Sequence, residues 1–111
     1  MKYRSLRVAN LIRDELGKII LKELEFPNAI PTITQVEIDE KLEAARIKVS
    51  VIPSSESEKA LKILQEAQRR FQHLLLKKIN IKPMPKIRFE IDHGPEAAAR
   101  VEKILLEEDN K

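Results

Sequence analysis

Few residues in this sequence have the type and spacing that catalysis or metal binding needs. The chain has no cysteine, and its two histidines, His73 and His93, lie on different expected elements, so no metal set can be assembled. Asp92 and His93 are adjacent, but neighbours on a strand point to opposite faces and cannot act as a catalytic pair. No G-x-S-x-G is present, and Gly17 and Gly94, the only glycines, cannot build a phosphate loop. We therefore expect no enzyme activity, no metal and no cofactor.

The basic residues indicate a function more clearly than the possible catalytic or metal-binding residues do. Between Ala67 and Phe89 there are seven Lys and Arg residues and no Asp or Glu, although the net charge of the whole chain is only +3. Acidic residues concentrate instead in residues 37–43 and 96–109. This segregation is typical of a protein that binds a polyanion on one side. The same charges can equally serve to solvate a helix and a strand, so charge alone leaves both interpretations open.

We predict an RNA contact at the basic residues around the second long helix and its exit, with two N-terminal arginines as weaker candidates. The candidates are Arg69, Arg70, Lys77, Lys78, Lys82, Arg4 and Arg7. Base stacking needs exposed aromatic rings. The only aromatic residues are Tyr3, Phe26, Phe71 and Phe89, and we expect the last two in the core. Binding should therefore depend on the RNA backbone and its shape.

Hydrophobic periodicity indicates the elements that position these candidates. Residues 4–25 repeat apolar side chains every three or four positions, which predicts a helix. Its apolar residues are Val8, Leu11, Ile12, Leu16, Ile19, Ile20 and Leu24. Residues 32–39 and 45–52 alternate, which predicts an antiparallel hairpin with a turn at residues 40–43. The residues expected on its apolar face are Thr34, Val36, Ile38, Ala45, Ile47, Val49 and Val51.

A long helix follows the hairpin. Ser55 and Glu58 fit a capping box, in which a hydroxyl and a carboxylate satisfy the first free amide groups of a helix. The apolar stripe then runs from Ala60 to Ile79. Because this span is longer than an ordinary helix, we predict a kink or break within it.

The remaining residues predict a third strand and a last helix. Residues 86–92 alternate, with Ile87, Phe89 and Ile91 inward. Pro95 suits the first position of a helix. That helix is expected to bury Ala98, Val101, Ile104 and Leu105 and to fray over residues 107–111. Since each strand is apolar on one face only, the sequence predicts an α+β fold, a three-stranded sheet with its helices on one face.

Length and composition predict a single domain over residues 1–111. The absence of cysteine favours a reducing compartment. The N-terminal segment has no apolar stretch of the signal-peptide kind, and the longest apolar runs are three residues, such as residues 19–21. We therefore expect a cytoplasmic protein without a membrane partner, and we expect it to be a monomer.

The order and spacing of several motifs resemble one known family. They are Arg7-Val8-Ala9, the hairpin segments Val36-Glu37-Ile38 and Ala45-Arg46-Ile47-Lys48-Val49-Ser50 around Leu42, Leu64-Gln65-Glu66-Ala67, the strand from Pro85 to Asp92, and Arg100-Val101-Glu102-Lys103-Ile104-Leu105-Leu106. Over nearly the whole chain the sequence resembles ribosome-binding factor A, a bacterial small-subunit assembly factor. It departs from the family at Ala67-Gln68-Arg69, where the family tends to have an A-x-G step.

The resemblance implies a type II KH-like domain with the order α-β-β-α(kinked)-β-α. It also implies binding to the free small ribosomal subunit and its ribosomal RNA during late maturation, often linked to growth in the cold. An alternative from a different class is a protein-interaction domain whose basic face docks an acidic protein partner. RNA binding should weaken with salt and be lost on nuclease treatment of the target, whereas protein docking should survive nuclease.

Overall fold

In the computed structural model, two long helices lie on one face of a three-stranded sheet. The structure describes residues 2–94. Its elements are α1 (Lys2–Glu23), β1 (Ile30–Ile38), β2 (Ala44–Ile52), a 3₁₀ turn (Ser54–Glu56), α2 (Ser57–Lys78) and β3 (Lys86–Ile91). The predicted order is confirmed over these residues. The predicted last helix, with Ala98, Val101, Ile104 and Leu105, lies outside the described residues.

The sheet has the strand order β1-β2-β3. β1 and β2 form the predicted antiparallel hairpin, and β2 and β3 are parallel. Parallel neighbours need a long crossover connection, and α2 supplies it. Since a crossover of this kind packs back onto the sheet, the strand that follows α2 starts beside the helix itself.

The core fills the space between the helices and the sheet. Ile12 and Leu16 from α1, Ile47 from β2, and Phe71 from α2 are completely buried there. The Phe71 and Phe89 rings meet edge to face, with centroids 6.4 Å apart and an interplanar angle of 77°. Every buried side chain in residues 4–94 is apolar. Burial alternates along β2 and along the first part of β3, so the predicted one-sided burial is confirmed for these two strands.

The tight turn of the hairpin is closed by Asp39. Its carboxylate accepts hydrogen bonds from the backbone N–H groups of Glu43, at 2.7 Å, and Ala44, at 3.3 Å. Leu42 has a φ of 59°, in the left-handed region that a bulky residue rarely adopts. The Leu42 side chain is buried, with only 6% of its surface exposed. Burial of the leucine side chain therefore offsets the cost of its backbone conformation.

The prediction that Thr34 shares the apolar face with Val36 and Ile38 is wrong. A β-bulge between Ile33 and Gln35 inserts one extra residue opposite Lys48. The bulge shifts the alternation, so Ile33 packs against the core and the Thr34 hydroxyl reaches Asp92, the residue that follows β3. A bulge cannot be recognised from the period-two hydrophobic pattern of the sequence alone.

Three smaller predictions about the helices are also corrected. Leu11 is 44% exposed, because it faces the segment after α2 and lines a groove there. The capping box is not formed: Ser55 lies inside the 3₁₀ turn, and the residue before α2 is Glu56, with no side-chain cap. The predicted break within the long helix is absent, because α2 runs without interruption from Ser57 to Lys78 and contains no Gly or Pro that would remove its hydrogen bonds.

Candidate nucleic-acid interface

The exposed side of α2 presents Arg69, Arg70 and Lys77. The opposite side of the helix is buried and includes Ala67 and Phe71. Lys77 follows the two arginines by eight and seven residues, about two helical turns, so it projects from the same side of the helix, about 10–12 Å from them along the axis. The Arg70 guanidinium carbon lies 5.5 Å from the centre of the Phe71 ring, a distance at which cation–π attraction orients it.

Lys77 and Lys78 occupy the last turn of α2. Cations at this position interact favourably with the partial negative charge of a helix C-terminus. Their placement therefore has a structural explanation that does not need a ligand. Both side chains are exposed, so the same charges are also available to an external anion.

A groove of about 280 Å³ brings the N-terminal candidates next to the exit of α2. Arg4 and Arg7 from the first turns of α1 line it together with Lys82. Two distant stretches of sequence thus join in one basic groove. The rest of its lining is uncharged and consists of Val8, Leu11, Asn80 and Ile81.

A second groove, also of about 280 Å³, lies where α2 meets β3. Arg69 lines it with Lys86, and Gln68 and Gln72 form the wall between them. Lys86 belongs to the basic run of the sequence but is not among the seven predicted site residues. The parallel crossover places the start of β3 beside α2, which is the signal that could have identified it.

None of the seven candidate cations forms an ion pair within residues 4–94. The ion pairs found there are Lys18–Glu15, Arg46–Glu37, Arg46–Glu90 and Lys48–Glu37. Within that part of the chain, no acidic side chain neutralises the charges of the candidates. Such uncompensated cations attract phosphate by releasing its bound counterions.

The charged side chains on the outer face of the sheet differ from the candidate cations, because they neutralise each other. The Arg46 guanidinium contacts Glu90 at 2.7 Å and Glu37 at 3.2 Å, and Lys48 contacts Glu37 at 3.2 Å. The hydrogen bond and charge of Glu90 raise the pKa of Arg46 above its ordinary value. This self-paired face is a poor candidate for a polyanion, although Arg88 is exposed on it.

The described aromatic rings do not offer a stacking platform. Phe71 and Phe89 are at most 1% exposed, and Phe26 is half-buried against the core. Within the described residues there is also no cluster of three His, Asp or Glu side chains that could hold a metal ion. None of the described helices is both long and apolar enough to cross a membrane.

Comparison with known proteins decides the family. The family model for ribosome-binding factor A matches residues 4–105. The chain belongs to the ribosome-binding factor A family. A relative from Pelodictyon phaeoclathratiforme named ribosome-binding factor A is 36% identical over 108 residues, covering 95% of this chain and 91% of the relative.

Solved structures of the family share the fold. The crystal structure of ribosome-binding factor A from Thermus thermophilus superimposes with a TM-score of 0.61 at 20% identity, covering 81% of this chain and 92% of that one. A homology model of the Thermus thermophilus factor, fitted into a cryo-EM map of a 30S complex, gives a TM-score of 0.58 at 21% identity over 74% of this chain and 92% of that one. The fold of this chain is therefore KH-like, as the resemblance implied.

Proposed function

We propose that this protein binds the free small ribosomal subunit and its ribosomal RNA during late maturation, as a non-catalytic assembly factor. Membership of the ribosome-binding factor A family supports this. A family relative from Thermus thermophilus has been fitted into a 30S complex, which supports the same partner. The function is consistent with a cytoplasmic monomer in which residues 1–111 make one KH-like domain.

The observation that carries the RNA contact is the set of cations around α2 that form no ion pair within residues 4–94. Arg69 and Arg70, Lys77 and Lys78 at the helix end, and Lys82 beyond it follow one another along the surface. The groove that Lys82 shares with Arg4 and Arg7 extends this surface to α1. We call these seven residues the basic surface. Without described exposed rings, it would bind phosphates rather than stacked bases.

Charge reversal tests the basic surface. Arg69→Glu with Arg70→Glu should weaken cosedimentation with purified free small subunits by roughly tenfold or more, because two phosphate contacts become repulsive. Thermal stability should change little, since exposed charges without ion pairs contribute little to folding. Sedimentation with separated small subunits, large subunits and whole ribosomes measures the binding and its preference.

A matched double variant, Lys22→Glu with Lys41→Glu, provides the control. It changes the net charge by the same amount, but both lysines are exposed outside residues 67–89 and line neither basic groove. If both double variants weaken binding equally, or neither does, the basic surface only solvates the protein. If binding survives nuclease digestion of the subunit RNA and is still weakened by Arg69→Glu with Arg70→Glu, the basic surface docks an acidic protein instead.

A further inference from the structure

The outer edge of β1 exposes backbone hydrogen-bonding groups. Val49 accepts a hydrogen bond from the N–H of Asp92 at 2.8 Å, so the polar groups of Val49 face β3. Ile33 pairs with Val49 and therefore points its own N–H and C=O away from β2. The same alternation along the ladder turns the N–H and C=O groups of Val36 and Ile38 outward. No hydrogen bond within residues 2–94 occupies these outward groups.

The opposite edge of the sheet is closed. The N–H of Ile87 on β3 donates to Gln72 Oε1 at 2.8 Å, and the N–H of Phe89 donates to Gln68 Oε1 at 3.3 Å. Two side chains of α2 thus occupy outward donors that another strand would need. Covering an edge in this way prevents further strand pairing. Within the described part of the chain, β1 has no equivalent cover.

Apolar grooves run beside β1 on the side of α1. The larger, of about 620 Å³, lies along the start of the strand and is lined by Leu21, Leu24 and Ile30 among others. The smaller, of about 210 Å³, lies along the end of the strand, where Leu6 faces Val36 and Ile38. The backbone edge and the grooves are therefore side by side at the start and at the end of the strand.

Exposed apolar side chains concentrate at the same place. Leu21 is 86% exposed, Ile30 is 65% exposed and Leu6 is 61% exposed. Ile52, which pairs with Ile30 at the end of the hairpin, is also 65% exposed. Single exposed apolar residues are ordinary, but several along one open strand edge mark an interaction surface.

The chemistry of this edge selects an extended polypeptide. Donors and acceptors that recur at alternate residues match the main chain of another strand, and apolar side chains of that strand can enter the grooves. Nucleic-acid phosphates supply only acceptors and leave the grooves unfilled. A second copy of this chain fits poorly, because the bulge at Thr34 interrupts the centre of any symmetric β1–β1 pairing. Pro31, with no N–H, further limits the pairing to short segments.

We propose that β1 binds, by strand addition, a short extended segment of a protein component of the small subunit that has apolar side chains at alternate positions. This inference rests on the proposed function, because the subunit is where the partner is sought. The protein would then have two contacts on different faces, the basic surface for RNA and the β1 edge for protein.

Crosslinking from the edge tests the proposal, and the absence of native cysteine makes the label unique. Thr32→Cys, at an exposed position of β1, is coupled to a thiol-reactive benzophenone and irradiated with purified free small subunits. We expect a covalent adduct to a subunit protein that survives nuclease. Adding Leu21→Gln and Ile30→Gln should lower its yield by roughly tenfold, since both apolar anchors are removed. Leu76→Gln, at an apolar α2 residue that is 50% exposed, is the control and should change nothing.

Hydrogen exchange on the full chain alone provides a second measurement. The amides of Ile33, Val36 and Ile38 should exchange fast, and those of Ile87 and Phe89 should be protected by their glutamine partners. Protection of the three β1 amides in the free protein overturns the proposal, because the chain or a second copy then covers the edge. Cosedimentation without a protein adduct also overturns it while leaving the proposed function intact. Loss of cosedimentation in the unsubstituted protein refutes the proposed function and this partner together.

Discussion

At the scale of single residues, Asp92 has the most specialised surroundings of the described carboxyl groups. The Thr34 hydroxyl donates to its Oδ2 at 2.6 Å, and the Gly94 N–H donates to its Oδ1 at 2.9 Å. These two hydrogen bonds, the one from Thr34 first, lower the pKa of Asp92 below its ordinary value. Because Thr34 belongs to β1 and Asp92 directly follows β3, this contact connects one outer strand to the end of the other across β2. The bulge is what turns the Thr34 hydroxyl to the face where Asp92 lies.

The lowered pKa of Asp92 predicts a pH-dependent contribution to stability. A carboxyl whose pKa is lower in the folded state stabilises the fold above its unfolded pKa of about 3.9, and this contribution is lost as the pH falls through the folded pKa. Thr34→Val removes the hydroxyl donor and should lower the free energy of unfolding at pH 7. The difference from the unsubstituted protein should shrink as the carboxyl becomes protonated. Denaturant titrations across the acid range measure this, and a difference independent of pH would refute it.

The residue types of the basic surface are visible in the sequence, but their assembly is not. The run from Ala67 to Phe89 identifies the cations of α2 by simple counting. The groove that joins Arg4, Arg7 and Lys82 depends on how α1 packs beside the segment after α2, which periodicity does not encode. Lys86 is brought next to Arg69 by the parallel crossover, another consequence of tertiary packing.

At the scale of elements, two glutamines hold α2 to β3. Gln72 Nε2 donates to the Pro85 carbonyl at 2.9 Å, and Gln72 Oε1 accepts the N–H of Ile87 at 2.8 Å. One amide side chain therefore satisfies two backbone groups at the start of β3, one just before the strand and one within it. Gln68, one turn earlier, adds the bond to the Phe89 N–H. This arrangement aligns the strand along the helix without any charged group.

Truncating Gln72 should therefore destabilise the protein more than its half-buried position suggests. Gln72→Ala leaves a partly buried donor and acceptor without partners, which costs about 1–3 kcal/mol. Gln72→Glu keeps the acceptor for Ile87 and should cost less than the alanine variant. Gln65→Ala, at an exposed position of the same helix, is the control and should stay within about 0.5 kcal/mol. Equal losses for Gln72→Ala and Gln65→Ala in chemical denaturation would contradict this role.

The elements themselves follow from the sequence wherever one face is buried. Apolar residues recur at every second position, at Ile47 and Val49 and again at Ile87 and Phe89. This pattern predicts β2 and β3 correctly, because burial on one side imposes a period of two. The prediction fails at Thr34, where a bulge changes the phase, and at Ser55, where a 3₁₀ turn displaces the helix start. Both depend on backbone geometry between elements rather than on hydrophobic pattern.

At the scale of the whole molecule, the fold depends on one core between the helices and the sheet. Phe89 is 1% exposed and meets Phe71 edge to face, so it joins β3 to α2 at the centre of that core. Phe89→Ala should lower the free energy of unfolding by about 3–5 kcal/mol, through lost burial and the cavity left behind. A change within about 0.5 kcal/mol in chemical denaturation would show that Phe89 is not a core residue.

The whole molecule also segregates its charges, which predicts how binding depends on salt. The outer sheet face pairs its own charges, whereas the basic surface has no ion pairs within residues 4–94. If these cations neutralise phosphates, the logarithm of the small-subunit association constant should fall linearly with the logarithm of salt concentration. The slope should be about −0.7 to −0.9 for each phosphate contacted.

The salt slope also counts the contacts that each variant loses. Replacing Arg69 and Arg70 with glutamine removes two cations, so the slope should become less negative by roughly 1.4–1.8. The control, Lys22→Gln with Lys41→Gln, removes the same charge elsewhere and should leave the slope unchanged. A slope that changes equally for both pairs would indicate long-range attraction by net charge. In that case the RNA contact would have to be sought on another face of the protein.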